Sequence, residues 1–210
     1  MATTSRSPME ERRIAMTYEE WLRWAGESQQ SEWVDGEAIA FVPPTIRHAD
    51  LALFLSILLS LFVQRHRLGK VLAAPFEVRL SAKSSREPDL GFISTANAER
   101  IGEKRIDGAP DLVVEIVSDD STRRDRVAKR EEYAAAGVAE YWILDPRPRR
   151  VAEEFLVLGA DGRYQPVVLG PDGWYRSRII AGFRLWPQWL RADPLPDPLA
   201  CLAEIVSETA

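Results

Sequence analysis

A glutamate inside an apolar segment is the residue of this sequence that most needs a chemical explanation. Residues 111–117 read DLVVEIV, which is apolar apart from Asp111 and Glu115 and predicts a strand covered on both faces. A buried carboxylate without a partner is costly, or it takes up a proton. Glu115 is therefore predicted to contact a cation, either a metal ion or a lysine.

Two more residues could form a site with Glu115. Asp89 follows Pro88 in a predicted strand over residues 86–94, and the strand of Glu115 is the next one along the chain. Lys129 lies on the helix predicted after Glu115. Two carboxylates on adjacent strands and an amine can hold divalent cations and position a water molecule for attack on a phosphoryl group. The residues therefore predict metal-assisted hydrolysis of a phosphate ester and leave the ester open.

The composition narrows the choice of metal and of partner. The single cysteine excludes an internal disulfide, and with only two histidines the sequence has no Cys-rich or His-rich metal site. Carboxylate oxygen must then supply the ligands, which favours Mg²⁺ or Mn²⁺. The net charge of −5 gives no overall attraction for nucleic acid, so a DNA-binding surface would have to be local.

Each candidate also has a simpler interpretation. Asp89 after a proline could be a turn residue, which is the more common use of that pair. Lys129 could be a solvated helix residue that pairs with Asp125, four positions earlier. Tyr133 lies on the same helix face and could serve in packing alone. Glu115 resists such an interpretation, because a carboxylate in a buried strand needs a partner.

The elements around Glu115 predict how the residues are positioned. After the strand, Ser121 or Thr122 can start a helix that runs to about residue 136, and Gly137 suits its left-handed cap. A second apolar strand follows at residues 141–144. Two strands joined through a helix predict a parallel pair with a right-handed crossover. The basic residues at the start of this helix are most simply interpreted as a solvent-exposed face. They also include the best candidates for phosphate contacts: Arg123, Arg124 and Arg126.

The N-terminal half predicts a helix, a hairpin and a long core helix. Thr17 and Glu20 have the spacing of a capping box, and Gly26 would close the short helix that they open. Asp35-Gly36 predicts a two-residue hairpin turn, flanked by Glu32 and Glu37, where exposed charge is normal. Residues 47–66 predict a broadly apolar helix that ends at Gly69. Residues 70–82 predict a long strand, and residues 95–109 a polar surface loop.

The chain is predicted to be one domain over residues 17–210, after a loose N-terminal tail at residues 1–16. Its core would span about residues 47–146, followed by a β extension at 150–182 and a Pro-rich tail at 183–210. Strands at 151–158, 164–169 and 174–181 would be joined by turns at Asp161-Gly162 and Asp172-Gly173. No apolar run looks long enough for a bilayer and no signal peptide is evident, so a cytoplasmic location without membrane contact is expected.

Together these motifs resemble the PD-(D/E)XK nuclease superfamily, and more closely the Uma2 family of restriction-endonuclease-like proteins. The matching segments are 87–90 (EPDL), 110–118 (PDLVVEIVS) and 137–146 (GVAEYWILDP), with Asp125, Lys129 and Tyr133 between the last two. Upstream, 35–37 (DGE) and His48 also match. The resemblance covers roughly residues 18–182. It implies an α/β restriction-endonuclease-like fold, with a mixed central sheet flanked by helices and additional β-hairpins.

The resemblance also implies roles for individual residues. Asp89 and Glu115 would ligate Mg²⁺ or Mn²⁺, and Lys129 would orient the attacking water or stabilise phosphoryl charge. The superfamily expects that lysine two residues after Glu115, where this chain has Val117. Supporting positions near the metal would be Glu37, His48, Asp125 and Tyr133. The implied activity is DNA hydrolysis by an endonuclease, with a homodimer expected by analogy; the alternative is a catalytically inactive binding or assembly module with the same fold.

Overall fold

The structure is a computed structural model, and it describes residues 12–25, 31–40, 44–117, 127–147 and 153–207. Within these ranges the chain forms two six-stranded sheets and one two-stranded sheet, with helices packed against them. Residues 1–11 of the predicted tail, the closing Gly26 and the predicted helix start at Ser121 or Thr122 lie outside the described residues.

The first sheet is built from the N-terminal half of the chain and has the order β1-β3-β2-β6-β5-β8. Its strands are β1 (Arg12–Ala15), β2 (Ser31–Val34), β3 (Glu37–Ala40), β5 (Glu77–Ser81), β6 (Ser84–Arg86) and β8 (Arg105–Asp107). The predicted hairpin of β2 and β3 is confirmed, and both turn residues have positive φ, 48° at Asp35 and 86° at Gly36. Residues 12–15, assigned to the tail from sequence, pair with β3 instead.

Helix α1 (Tyr18–Ala25) begins at the predicted capping box. The Thr17 N–H donates to the Glu20 carboxylate at 2.7 Å, and the Glu20 N–H donates to the Thr17 hydroxyl at 3.2 Å. The helix packs against β2, where the Trp21 indole donates to Ser31 Oγ at 2.9 Å. This contact covers the outer face of the first sheet.

The second sheet contains the parallel pair that the sequence predicts. Its strands are β4 (Gly69–Ala73), β7 (Leu90–Ser94), β9 (Leu112–Ile116), β10 (Glu140–Leu144), β11 (Glu153–Leu158) and β12 (Tyr164–Pro166), in the order β12-β11-β10-β9-β7-β4. β9 and β10 are parallel and are joined through α3 (Lys129–Ala136), whereas the other neighbours are antiparallel. Gly137 caps α3 with φ of 87°, as predicted.

Two strands predicted as continuous are each divided between the two sheets. The strand predicted over residues 70–82 forms β4 and β5, and the one predicted over residues 86–94 forms β6 and β7. A proline lies in each break, Pro75 in the first and Pro88 in the second. Proline has no N–H for the strand ladder, so the chain leaves one sheet there and enters the other. The predicted loop at residues 95–109 contains a 3₁₀-helix (Thr95–Arg100) and β8.

The main hydrophobic core lies between the second sheet and α2 (Ile46–His66). Seven side chains of this helix are buried there: Leu51, Phe54, Leu55, Leu58, Leu59, Phe62 and Val63. The helix ends at His66 and is capped by Arg67, which has φ of 53°, whereas the predicted end, Gly69, begins β4. By length and mean hydropathy (1.8) α2 could span a membrane, contrary to the sequence prediction, but the burial of one face is that of a core helix.

The C-terminal segment completes that core. Gly162 and Gly173 have positive φ at the predicted turns. The strand predicted over residues 164–169 is only β12, and the one predicted over residues 174–181 is only β13 (Tyr175–Arg176), which pairs with β14 (Arg184–Leu185). The predicted Pro-rich tail holds α4 (Pro187–Arg191) and α5 (Pro198–Ser207). α5 packs on α2 through buried Cys201 and Ile205. These residues are therefore part of the core.

Candidate active site

Glu115 and Lys129 form a buried ion pair at the centre of the candidate site. Lys129 Nζ lies 2.8 Å from Glu115 Oε1, and the two side chains are 3% and 4% exposed. The Tyr133 hydroxyl donates to the same oxygen at 2.7 Å. Lys129 and Tyr133 are four residues apart on α3, so both reach the face of the sheet that carries Glu115. The structure thus gives Glu115 the lysine partner that burial in a strand predicted.

Asp89 lies beside Glu115 on the neighbouring strand. The antiparallel register pairs Leu90 with Val114, which places Asp89 opposite Glu115. Asp89 Oδ2 accepts the Ile116 N–H at 2.6 Å, and Oδ1 lies 3.0 Å from His48 Nε2. His48 is in the first turn of α2, where its N–H donates to Thr45 Oγ1 at 3.2 Å. The helix start therefore brings His48 to the site, in the vicinity that the resemblance implied.

Glu32 also belongs to the cluster, although no local pattern in the sequence indicates it. Its Oε1 is 2.9 Å from Lys129 Nζ, its Oε2 accepts from Arg86 at 2.7 Å, and its side chain is 0% exposed. The prediction of exposed charge at this hairpin position is wrong. Lys129 on α3 contacts Glu32 on this face of β2, and α3 lies about a hundred positions further along the chain, beyond the reach of any local pattern.

Arg86 connects Glu32 to α3. Its Nε donates to Glu132 at 2.9 Å, and Ser84 Oγ donates to the same carboxylate at 2.8 Å. Burial alone would lower the pKa of Arg86, but the carboxylates of Glu32 and Glu132 raise it above its ordinary value. The guanidinium therefore remains charged, and it connects the first sheet to α3.

Burial also shifts the acid–base behaviour of two groups near the lysine. The pKa of Glu87 is raised to about 8, first by burial and then by the negative charge of Glu32. The pKa of the Tyr133 hydroxyl is raised well above its ordinary value by burial and by Glu115. Tyr133 is therefore a hydrogen-bond donor to Glu115 throughout the ordinary pH range.

Of the remaining predicted residues, the structure describes only Glu37 and Val117, and neither has a contact with Glu115 or Lys129 that defines the cluster. Glu37 is 43% exposed and pairs with Arg13 at 3.1 Å, at the edge of the first sheet. Asp125 and the predicted phosphate contacts Arg123, Arg124 and Arg126 lie outside the described residues. Val117, which occupies the usual lysine position, is buried in the apolar core beside α3.

The residues present suit a hard divalent cation. Within the described ranges, no three His, Cys, Asp or Glu side chains converge as a ready-made metal cage. Mg²⁺, however, is commonly bound through one or two carboxylates, with water and substrate phosphate completing its shell. An ionised carboxylate has about four lone-pair sites. The two hydrogen bonds to Asp89 therefore leave capacity for a cation, and Asp89 and Glu115 are the residues that would hold it.

Comparison with protein-family models identifies the family of this chain. The sequence model of the Uma2 family, described as "Putative restriction endonuclease", matches residues 17–192. This chain belongs to the Uma2 family. Membership supports a nuclease-like function, and the match runs through every described residue of the cluster.

A solved structure shows the same fold as this Uma2 protein. It is described as a "putative nuclease belonging to DUF820 from Anabaena variabilis ATCC 29413", and it is 18% identical to this chain with a TM-score of 0.62. The match covers 84% of this chain and 97% of that one. The predicted α/β fold of the restriction-endonuclease type, with mixed sheets flanked by helices, is therefore confirmed. Comparison with curated proteins found no match.

Proposed function

We propose that this Uma2 protein is an endonuclease that hydrolyses phosphodiester bonds in DNA with the help of Mg²⁺ or Mn²⁺. The observation that carries the proposal is the position of the Lys129 amine, 2.8 Å from Glu115. Asp89 lies at the start of β7, the strand next to that of Glu115. Two carboxylates at opposite positions of neighbouring strands, with a cationic amine on one of them, suit metal-assisted attack on a phosphodiester. Lys129 comes from α3, and in this proposal it does the work of the lysine that the superfamily carries at the position of Val117.

Each residue has a defined part in this proposal. Asp89 and Glu115 would hold the metal ion, which when bound supplies a Lewis acid and an acidified water. Lys129 would orient the attacking water or stabilise charge on the phosphoryl group. His48 fixes the carboxylate of Asp89, and Tyr133 fixes that of Glu115. Because these groups are held before substrate arrives, little reorganisation is needed during the reaction.

The test is cleavage of supercoiled plasmid DNA with added Mg²⁺ or Mn²⁺, with and without EDTA. The wild type should nick the plasmid only when metal is present. Glu115→Gln should lower the rate by about 100-fold or more, because it removes a charged ligand while conserving volume. The variant should fold, because Lys129 keeps its contact with Glu32. Glu131→Gln, an exposed position on α3, is the matched control.

Two results would contradict the proposal. Undiminished cleavage by Glu115→Gln would refute the assignment of the site, and cleavage that persists in EDTA would refute the metal requirement. We also propose a homodimer, by analogy with nucleases that place one site on each DNA strand. Sedimentation of the purified protein tests that state directly.

A catalytically inactive binding or assembly module is the second candidate. It is favoured by the absence of a three-residue metal cage among the described residues and by the protein donors that already contact Asp89 and Glu115. Calorimetry with Mn²⁺ separates the two candidates. If the wild type binds Mn²⁺ and Asp89→Asn does not, the nuclease is favoured. If the wild type does not bind Mn²⁺, the inactive module is favoured.

A further inference from the structure

Glu32 is buried in the same cluster but takes no part in the chemistry proposed above. It lies on β2, between Ser31 and Trp33, which face α1. Side chains alternate along a strand, so Glu32 points to the opposite face, toward α3. Its side chain is 0% exposed, which is rare for a glutamate and requires compensation by cations.

Lys129 lies between two carboxylates that come from two different sheets. Nζ is 2.8 Å from Glu115 on β9 of the second sheet and 2.9 Å from Glu32 on β2 of the first. A lysine side chain is long and flexible, with a large rotamer entropy, and one contact leaves its ammonium free to swing. Two contacts on different sides define the position of Nζ much more closely.

Glu32 is itself held firmly from other directions. Arg86 donates to its Oε2 at 2.7 Å, and the Glu87 N–H donates to its Oε1 at 3.3 Å. Arg86 therefore holds the Glu32 carboxylate in place independently of Lys129, and the two cations together compensate its charge. Arg86 also contacts Glu132 on α3, which ties the helix that carries Lys129 to the strand that carries Glu32.

We propose that Glu32 is a positioning residue, which holds the amine of Lys129 against Glu115. Its effect on cleavage rests on the proposed function, whereas the placement of the amine can be measured without any substrate. Removing the Glu32 charge should free Lys129 and slow the reaction while leaving both carboxylates that would bind metal in place.

Reductive methylation read by peptide mass spectrometry measures the placement directly. The chain has four lysines, and Lys70, Lys83 and Lys104 are exposed, so they serve as internal standards. In the wild type, Lys129 should be protected relative to these three. In folded Glu32→Gln its labelling should rise by about tenfold or more, because the buried contact that holds it is lost. Glu99→Gln, at an exposed position, should leave Lys129 protected.

Cleavage and metal binding complete the test. Glu32→Gln should lower kcat by about 100-fold with little change in KM, since the amine is displaced and the DNA contacts are not. Mn²⁺ affinity should stay close to that of the wild type. Glu32→Asp keeps the charge for Arg86 but is one methylene shorter, so it should recover part of the protection and of kcat. If Glu32→Gln does not fold, Glu32→Asp takes its place in every measurement.

Two outcomes would overturn the proposal: labelling of wild-type Lys129 as fast as Lys70, or full protection of Lys129 in both folded variants. Lys129 could be protected in the wild type and labelled in Glu32→Gln while the wild type cuts no DNA. That result would refute the nuclease activity but would support the placement of the amine by Glu32. The two proposals therefore fail in different experiments.

Discussion

Four formal charges are buried together around Lys129. The side chains of Glu32, Arg86, Glu115 and Lys129 are each at most 4% exposed. Buried ion pairs are weak contributors to stability, because desolvation offsets most of their attraction, and apolar residues of similar volume often replace them without loss. Stability alone is therefore a poor explanation for this cluster, whereas a site that must hold charge out of water explains it directly.

The sequence could predict only some of these residues. Glu115 was recognisable because its neighbours are apolar, and Lys129 and Tyr133 because they share a helix face. Glu32 was not, since a carboxylate near a hairpin turn is ordinarily solvated. Its burial depends on a helix that the chain supplies much later, so no window around Glu32 carries the information.

Glu87 predicts a specific pH dependence of stability. Its pKa is about 8 in the folded protein and ordinary in the unfolded chain, so between about pH 4.5 and pH 8 the folded state holds one more proton. The free energy of unfolding should therefore fall as pH rises through that interval. In Glu87→Gln this contribution is removed, and the variant should be more stable than the wild type by about 2 kcal/mol at high pH, after allowance for partial exposure of the carboxyl.

Urea unfolding of both proteins in EDTA, from about pH 5 to about pH 8.5, measures that difference. The difference between the two free energies should grow with pH and then level off, because all other groups titrate alike in both proteins. A difference that is constant with pH would show that Glu87 is ionised in the folded state throughout.

At the scale of the elements, two prolines show where the predicted strands divide between the sheets, and the apolar pattern does not. The pattern at residues 70–82 and 86–94 gave the right residues for strands, but it could not show that each segment serves two sheets. Pro75 and Pro88 mark the points of transfer, and a stricter reading of proline as a strand breaker would have found them. The parallel pair with its intervening helix was predictable, because an apolar run, a capped helix and a second apolar run form a local pattern.

Glu140 provides a group of buried hydrogen bonds between the second sheet and the C-terminal segment. Its buried carboxylate accepts hydrogen bonds from the Trp142 indole at 2.7 Å, from the Tyr175 hydroxyl, and from the N–H groups of Arg178 and Ile179 at 2.9 and 3.2 Å. Glu140→Ala leaves these buried donors without an acceptor. It should lower the free energy of unfolding by about 3–5 kcal/mol.

Urea unfolding followed by tryptophan fluorescence measures this loss. Glu131→Ala, at an exposed position on α3, is the control and should change stability by less than about 0.5 kcal/mol. A change as small for Glu140→Ala would mean that the C-terminal segment is held by apolar packing alone.

At the scale of the whole molecule, the C-terminal helix closes the core, and the single cysteine reports on it. Cys201 on α5 is 3% exposed, and burial, with nearby Glu204 and Asp197, raises its pKa to about 11. At about pH 8 the native protein should hold roughly a hundredfold less thiolate than an ordinary cysteine would give. Reaction with a disulfide reagent should therefore be slow in the native protein and fast in urea.

Loosening α5 should accelerate that reaction. Ile205 packs in the same core as Cys201, so Ile205→Ala should speed labelling by raising the population in which the helix is undocked. Leu199→Ala, at a position 61% exposed on the same helix, should leave the rate unchanged. Labelling of the native wild type as fast as in urea would mean that α5 does not cover the core.

The tripeptide Glu87-Pro88-Asp89 is all that separates β6 in the first sheet from β7 in the second. Because this connection has only three residues, neither sheet can move relative to the other without also moving Asp89. Lys129 is tied to both layers as well, through Glu32 and Glu115. Asp89 and Lys129 are therefore each connected to both sheets, and a change that separates the sheets should displace both side chains without contacting either of them.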